Sequence, residues 1–284
     1  MVDSLMEIKK YNGPKFNDEK YLAMVKVEAA ILKGLRKFFH DEGFNEVIVP
    51  HITHATGACE NIDSLFQTMS NYKINWFDTK HKKDTRAYLS QTGQLYLEPL
   101  IRTMDKVCCL GSSFRAEERV DARHLIEFPL GEIEFKTNGD DVGLEELMDY
   151  EEKAIKSMAK EVFHTSINEL KMIDGNYNLL KTFVYDFYNN GKFPRIKYEE
   201  AINFLGLEWG DDLKHDHELA LVEKYSKGKL PIFITHYPKE IKFFNMAPNM
   251  KDERVVNSVD LIVPLGGEAA GGAERIYDAD LLER

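Results

Sequence analysis

The spacing of hydrophobic positions predicts helices and strands in a mixed order along the chain. Apolar residues at intervals of three and four predict helices over 17–41, with Asn17 as the N-cap, and over 91–104, 141–163, 198–205 and 217–226. Residues 164–195 are helical but less regular. Alternating and β-branched runs predict strands over 43–53, 106–114, 124–135, 230–238, 241–246 and 257–264. For residues 57–90 the pattern predicts a loop-rich region with short strands such as 72–77.

This order of elements indicates the fold class. The runs over 106–114 and 124–135 are joined by a charged stretch, which predicts an antiparallel hairpin with a long polar loop. Further strands come late in the chain, whereas helices are grouped before them. We therefore expect an α+β fold, in which an antiparallel β-sheet is flanked by helices and carries a helical inserted region.

Composition and charge narrow the class of protein. The 284 residues are 43% hydrophobic and 30% charged, with a net charge of −11, which is typical of a folded globular protein and disfavours nonspecific nucleic-acid binding. Three cysteines are too few for a disulfide framework, so reduced thiols are expected. No apolar run approaches 18 residues, so we expect no membrane span and a cytoplasmic location.

The predicted hairpin carries the candidate chemistry. Arg115 stands at the end of the first strand, and Arg123 and His124 stand where the second begins. A guanidinium can clamp a phosphate through two hydrogen bonds, and the second basic pair can bind further phosphate oxygens. Phe128 offers a flat face for a purine ring. The constellation indicates a nucleotide site rather than a solvated hairpin.

Several segments in a fixed order resemble one known family. The hairpin pattern FRAE, RHL, EF and GEIE resembles motif 2 of class II aminoacyl-tRNA synthetases of the aspartyl/asparaginyl group. The segment 43–53 is similar to their motif 1, a helix–strand element at a dimer interface. Segments 88–98, 193–202, 208–213, 236–246 and 260–278 continue the match in the family's order.

The resemblance implies an ATP-dependent enzyme in which an amino-acid carboxylate attacks the α-phosphorus of ATP and pyrophosphate leaves. Such chemistry depends on positioning and charge neutralisation and needs no side-chain nucleophile. By position, Arg115 would grip the α-phosphate and the attacking carboxylate. Glu117 would meet the adenine edge, and Phe128 would stack beneath the ring. Arg123 and His124 would face the β- and γ-phosphates.

The same resemblance implies a metal and an amino-acid pocket. Asp260 and Glu268 would hold Mg²⁺ between the phosphates, since hard carboxylate oxygens are its expected ligands. Glu60, on a segment that matches a mobile loop, would receive the substrate ammonium. Gln94 would fix the amino-acid backbone, and Arg275 would bind the substrate carboxylate or side chain. Glu274 stands where the family commonly has glutamine.

The pocket segment also bears on the substrate. Aspartate-specific members have a lysine three residues after the pocket glutamine, where this chain has Leu97, followed by Glu98. An unneutralised β-carboxylate beside Glu98 would be disfavoured by desolvation and like-charge repulsion, whereas a carboxamide NH₂ can donate to it. The alternative is that Glu98 points outward and Leu97 belongs to the core. We expect asparagine or a similar neutral amide, carried onward to tRNA or another acceptor.

The extent of the match sets the expected organisation. Residues 1–18 are expected to be an N-terminal extension, and 19–284 a catalytic core that lacks the anticodon-binding domain and motif 3. We expect ATP and Mg²⁺ as cofactors, asparagine or aspartate and the tRNA acceptor end as partners, and a homodimer through the motif-1-like element. One rival is an asparagine synthetase that activates aspartate for amidation by ammonia. Another is a non-catalytic paralogue that binds amino acid, nucleotide or tRNA.

Overall fold

A computed structural model describes residues 18–54, 62–68, 87–116, 125–137, 142–173, 175–187 and 191–283. Four residues of the predicted site, Glu60, Glu117, Arg123 and His124, lie outside these ranges, as does the predicted strand over 72–77.

The described ranges contain eight α-helices, which are interspersed with strands along the chain. The α-helices are α1 (Glu19–Asp41), α2 (Gln94–Leu97), α3 (Gly143–Thr165), α4 (Ile167–Met172), α5 (Tyr177–Thr182), α6 (Tyr198–Leu205), α7 (His215–Ser226) and α8 (Ala279–Leu282). Short 3₁₀ helices cover Ile62–Ser64, Glu98–Arg102 and Lys239–Ile241, and a π-helical turn covers Phe183–Phe187.

Strands of the described part form three sheets. They are β1 (Asn45–Glu46), β2 (Ile52–Thr53), β3 (Gln67–Thr68), β4 (Ala87–Leu89), β5 (Lys106–Phe114), β6 (Glu127–Phe135), β7 (Arg195–Lys197), β8 (Ile232–Thr235), β9 (Ser258–Val263) and β10 (Gly267–Ala273). The sheet orders are β1-β5-β6, β10-β9-β8-β7 and β2-β4-β3. The pairs β5–β6, β8–β9 and β9–β10 are antiparallel, whereas β1–β5 and β7–β8 are parallel. The fold is α+β with antiparallel sheets, as expected.

The central strands β8 and β9 of the β10-β9-β8-β7 sheet are buried on both faces. Ile232, Ile234 and Ile262 pack with Tyr198 and Leu221 in one cluster against α6 and α7. On the opposite face, Phe233, Val259 and Leu261 join Leu144 and Met148 of α3 in a second cluster. Because successive residues of a strand face opposite sides, the apolar run IFIT over Ile232–Thr235 fills both layers.

Helices α1 and α3 pack closely beside the other large sheet. A Cβ at Gly34 would lie 2.6 Å from the Met158 Cα, so only glycine permits this approach. Ser157 Oγ donates to the Gly34 carbonyl oxygen at 2.7 Å. An aromatic cluster that includes Phe38 and Tyr150 joins the two helices to the buried Cys108 of β5. This contact fixes the hairpin that carries Arg115.

Three details differ from the sequence expectations. The N-cap of α1 is Asp18, whose side chain accepts from the Lys20 and Tyr21 amides, rather than Asn17. The run 43–53 is divided between β1 and β2, which belong to different sheets, instead of forming one strand. The predicted strand over 241–246 is wrong, because a 3₁₀ turn and irregular backbone occupy the segment from Lys239 onward.

Within the described ranges, no helix is long and apolar enough to cross a bilayer.

Candidate active site

A cleft of about 2510 Å³ lies between β6 and β10 and gathers the described part of the predicted site. All seven predicted residues that the structure describes line it: Gln94, Glu98, Arg115, Phe128, Asp260, Glu268 and Arg275. They come from positions up to about 180 residues apart, so the fold rather than local sequence assembles them. The hairpin contributes one wall, and β9 and β10 contribute the other.

At one end of the cleft, two polar side chains contact the same carboxylate. Gln94 Nε2 donates to Glu98 Oε1 at 2.5 Å, one helical turn along the chain. Arg275 Nε lies 3.6 Å from the same Glu98 oxygen. Glu98 therefore faces the cleft, with its side chain 35% exposed, while Leu97 is fully buried with Val49, Val107 and Cys109. The position that carries lysine in aspartate-specific members thus belongs to the apolar core.

Two acidic residues of β6 extend this end of the cleft and were absent from the sequence-based site. Glu132 accepts hydrogen bonds from the Thr92 hydroxyl and, at 2.7 Å, from the Gly93 amide. Burial raises the pKa of Glu134 to about 7, although Arg275 opposes the shift. Both line the cleft on either side of Ile133, which packs toward the aromatic cluster. Acids that alternate with core-facing residues along a predicted strand were the signal that could have found them.

The hairpin positions Arg115 and Phe128 together. The Arg115 amide donates to the Ile126 carbonyl at 2.9 Å where the two strands meet. The Arg115 guanidinium carbon lies 5.3 Å from the Phe128 ring centroid, within the range of a cation–π contact. Its Nε is buried without a hydrogen-bond partner among the described residues. Because a buried donor without a partner is unfavourable, this nitrogen is suited to meet an anionic ligand.

At the far end of the cleft, Asp260 and Glu268 lie on neighbouring strands. A Cβ at Gly271 would lie 3.2 Å from Glu268 Oε1 and 3.4 Å from Asp260 Oδ1, so both carboxylates border the same space. Lys242 Nζ donates to both Asp260 oxygens, at 2.9 and 2.8 Å. Burial and the nearby Asp260 raise the pKa of Glu268 to about 7. Lys242 lies in the segment 241–246, which the sequence pattern predicts to be a strand and which has irregular backbone in the structure.

Two further groups near this pair have raised pKa values, because they are buried close to its carboxylates. Burial, followed by Asp260 and Glu268, raises the pKa of Glu151 on α3 to about 8. Burial and a hydrogen bond with Asp260 raise the pKa of Tyr237 well above its ordinary value. Glu151 lines the cleft, and its Oε2 is buried with no hydrogen-bond partner within the described ranges. An acid inside the apolar stripe of a helix was its only sequence signal.

Two carboxylates fit a magnesium ion held jointly with a nucleotide. Among the described residues, no group of three or more His, Cys, Asp or Glu side chains is arranged to hold a metal by itself. Mg²⁺ commonly keeps several waters and takes only one or two carboxylates together with substrate phosphates. The pair Asp260 and Glu268, whose carboxylates border one space at the end of the cleft, matches that donor set.

Glu274 has a structural position beside the cleft. Its Oε1 accepts from the Leu144 amide at 3.2 Å, at the start of α3, where the N-cap residue Val142 makes no side-chain bond. Its Oε2 accepts from Asn257 Nδ2 at 2.5 Å, and the Asn257 Oδ1 in turn accepts from Asn249. The carboxylate that replaces the family glutamine therefore caps a helix and closes a chain of amides.

The antiparallel core and its acid-and-arginine cleft define a class of protein, the class II synthetase fold. Residues 7–284 match the family tRNA synthetases class II (D, K and N), and the chain belongs to this family of adenylate-forming ligases.

Solved structures of this family show the same fold. The chain is 34% identical to asparaginyl-tRNA synthetase from Pyrococcus horikoshii, crystallised with asparaginyl-adenylate, with a TM-score of 0.78 over 93% of this chain and 56% of that one. It is 26% identical to asparaginyl-tRNA synthetase from Entamoeba histolytica, also with asparaginyl-adenylate, with a TM-score of 0.70 over 93% and 55%. Aspartyl-tRNA synthetase from Entamoeba histolytica is 25% identical, with a TM-score of 0.67 over 93% and 47%. The chain spans about half the length of these proteins.

Proposed function

We propose that the chain activates asparagine with ATP to form asparaginyl-adenylate and pyrophosphate. The observation that carries the proposal is Glu98, which faces the cleft and contacts both Gln94 and Arg275. A substrate carboxamide can donate its NH₂ to Glu98 and accept through its carbonyl oxygen from Arg275. The aspartate carboxylate, in contrast, would meet Glu98, Glu132 and Glu134 in one partly buried place.

The predicted site residues that line the cleft have separate roles in this reaction. Gln94 and Glu98 orient the amino acid so that its carboxylate approaches the α-phosphorus. Arg115 binds the α-phosphate and the attacking carboxylate, and so offsets charge that develops between two anions. Phe128 supports the adenine. Asp260 and Glu268 would hold Mg²⁺, which supplies positive charge to the leaving pyrophosphate when it is bound.

Three features support the choice of asparagine over aspartate. Leu97 is a core residue, so no lysine reaches the cleft from that position. Glu98 bears a negative charge beside the expected substrate side chain. In addition, the two structural neighbours with asparaginyl-adenylate are asparaginyl enzymes, and one of them is 34% identical to this chain. The roles that the family resemblance implies stay part of the proposal for the four site residues outside the described ranges: Glu60, Glu117, Arg123 and His124.

Amino-acid-dependent exchange between ATP and labelled pyrophosphate tests the proposal. We expect exchange with asparagine and much slower exchange with aspartate. Absence of exchange with asparagine, aspartate and close analogues, together with tight binding of ATP by calorimetry, would point to a non-catalytic paralogue. Preference for aspartate together with ammonia-dependent amide formation would point to an asparagine synthetase. Aminoacylation of tRNA in a parallel assay identifies the acceptor.

We also propose that the chain forms a homodimer through α1 and the β1–β2 segment. Ile48 is fully exposed between these strands, Ile52 of β2 is also exposed, and Val25 is an exposed apolar residue of α1. Concentrated exposed apolar side chains commonly mark protein contacts. We expect Ile48→Asp to convert a dimer into a monomer in sedimentation velocity. Met172→Asp, at an exposed apolar position of α4, serves as the matched control and should leave the dimer intact.

A further inference from the structure

Glu218 lies behind the proposed magnesium pair and is an acid in the apolar stripe of a helix. It sits in the first turn of α7, one turn before the buried Leu221 and Val222. Its side chain is only 8% exposed, yet it lines the cleft. The N-terminal turn of a helix favours negative charge, which helps to keep a carboxylate at this position.

The backbone beneath Glu268 has an unusual shape. Gly267 has a φ of +81°, and the pairing register of β10 with β9 shifts between Glu268 and Ala270. A Cβ at Gly267 would lie 2.6 Å from Glu218 Oε2 and 2.8 Å from His215 Nδ1, so α7 packs directly against this turn. A bulge of this kind changes the direction of a side chain and is common beside active sites.

Glu218 makes the bond that fixes this turn. Its Oε2 accepts a hydrogen bond from the Glu268 amide at 3.3 Å. His215 Nδ1 lies 3.6 Å from the same oxygen and flanks the contact. The carboxylate of α7 therefore holds the backbone of Glu268 through a hydrogen bond, and the Glu268 side chain borders the same space as Asp260.

We propose that Glu218 is a positioning residue for the metal: it holds the Glu268 backbone so that the Glu268 and Asp260 carboxylates border one space. The inference rests on the proposed function, because that function assigns the pair to Mg²⁺. Groups that orient metal ligands typically change metal affinity about 10- to 100-fold when they are removed. In this proposal, what matters is that Glu218 places an acceptor oxygen within hydrogen-bond distance of the Glu268 amide. Its negative charge is not required.

Three substitutions separate reach from charge. Glu218→Gln keeps an acceptor at the same distance but removes the charge. Glu218→Asp keeps the charge but withdraws the oxygens by one methylene, and Glu218→Ala removes both. Asp216→Ala, at an exposed acid in the same helical turn, is the matched control. If the alanine variant does not fold, the Gln and Asp variants alone decide the question.

Water proton relaxation with Mn²⁺ and ATP measures metal bound on the protein without turnover. We expect the Ala and Asp variants to bind Mn²⁺ about 10- to 100-fold more weakly than wild type, and the Gln and Asp216→Ala variants within about threefold. The Mg²⁺ concentration for half-maximal exchange should rise equally, with the KM for asparagine unchanged.

Other results overturn the inference. Equal Mn²⁺ affinity in the Ala, Asp and wild-type proteins would exclude positioning, and weak binding by the Gln variant would show that charge is what matters. Wild-type protein that binds no Mn²⁺ has no metal for Glu218 to position. If wild type binds Mn²⁺ but catalyses no exchange with any amino acid, the proposed function fails, and the Mn²⁺ series still decides the role of Glu218.

Discussion

At the level of single residues, the Glu98 carboxylate is the group that we expect to determine which amino acid binds. Replacing it by glutamine keeps its size but removes the charge that opposes an acidic substrate and accepts the amide NH₂. Since hydrogen bonds to charged groups contribute about 1.5–3 kcal/mol, we expect Glu98→Gln to raise the KM for asparagine about 10- to 100-fold. The preference for asparagine over aspartate should narrow. Pyrophosphate exchange at varied concentrations of each amino acid measures both effects.

Asp105→Asn is a suitable control for that substitution. It makes the same change of charge at an exposed residue just after the 3₁₀ helix Glu98–Arg102 and away from the cleft. It should leave both KM values unchanged. An unaltered preference in Glu98→Gln would contradict the assignment of Glu98 to the substrate side chain.

Arg115 combines a fixed orientation with a buried Nε that has no hydrogen-bond partner among the described residues. Loss of one preorganised donor to developing charge commonly lowers kcat by about 10²- to 10³-fold. We expect Arg115→Ala to lower exchange by at least that factor, and Arg115→Lys to recover little, because lysine lacks the planar fork. Arg254→Ala, which removes an exposed arginine that pairs with Asp252 and does not line the cleft, is the control. Intact exchange in Arg115→Ala would exclude the proposed phosphate contact.

The residues that could be predicted are those whose chemistry is visible in the chain. Arg115, Phe128 and Gln94 stand in segments with a recognisable pattern, and the structure brings them to one cleft with Asp260 and Glu268. Glu151 and Glu218 were missed because their importance arises from burial, which a single sequence shows only as an acid within an apolar stripe.

At the level of elements, the N-terminus of α3 is capped by a residue that is distant in sequence. Val142 provides no side-chain cap, and Glu274 of a later segment accepts from the Leu144 amide instead. Loss of a cap commonly destabilises a protein by about 0.5–2 kcal/mol, and Asn257 would lose its acceptor as well. We expect Glu274→Ala to lower the free energy of unfolding by about 1–3 kcal/mol, measured by urea denaturation.

The variant Glu283→Ala tests whether the effect is specific, since Glu283 is an exposed acid near the end of the described chain. It should leave the urea midpoint within experimental error. Stability of Glu274→Ala equal to wild type would show that water replaces the cap.

Strands were predictable where the side-chain pattern determines them. The hairpin β5–β6 was found from its two apolar runs, and its register extends from Lys106 opposite Phe135 to Phe114 opposite Glu127. The predicted strand over 241–246 was wrong. Lys242 of that segment forms an ion pair with Asp260, a contact between distant parts of the chain that the local pattern does not show. Strand β10 is rich in glycine and alanine and has no β-branched pattern, so its pairing with β9 defines it.

For the whole molecule, buried acids make stability depend on pH. Burial raises the pKa of Glu151 to about 8, so the folded protein keeps a proton that an unfolded glutamate releases near pH 4.5. The stabilising contribution is complete below about pH 4.5 and is lost as the pH rises toward 8. Because glutamine does not ionise, replacing Glu151 by glutamine removes this loss of stability at high pH. We expect Glu151→Gln to exceed wild type in stability at pH 8.5, by several kcal/mol at most, and to match it near pH 5.

Urea denaturation at the two pH values, without nucleotide or divalent cation, measures the difference. Glu199→Gln, at an exposed acid of α6, should follow the wild-type pH dependence. A constant difference between Glu151→Gln and wild type at both pH values would contradict a buried proton on Glu151.

The division of the cleft between two sheets has a consequence for cooperativity. Gln94, Glu98, Arg115 and Phe128 belong to the part built around the β1-β5-β6 sheet, whereas Asp260, Glu268 and Arg275 belong to the part built around β9 and β10. Each part has its own apolar cluster, and α3 packs against both parts, through Leu144 and Met148 on one side and Tyr150 on the other. An amino acid and nucleotide that touch both walls act as a removable crosslink. Occupancy of the site thus adds a second connection between the two walls, beside α3, and raises the free energy that is needed to separate them.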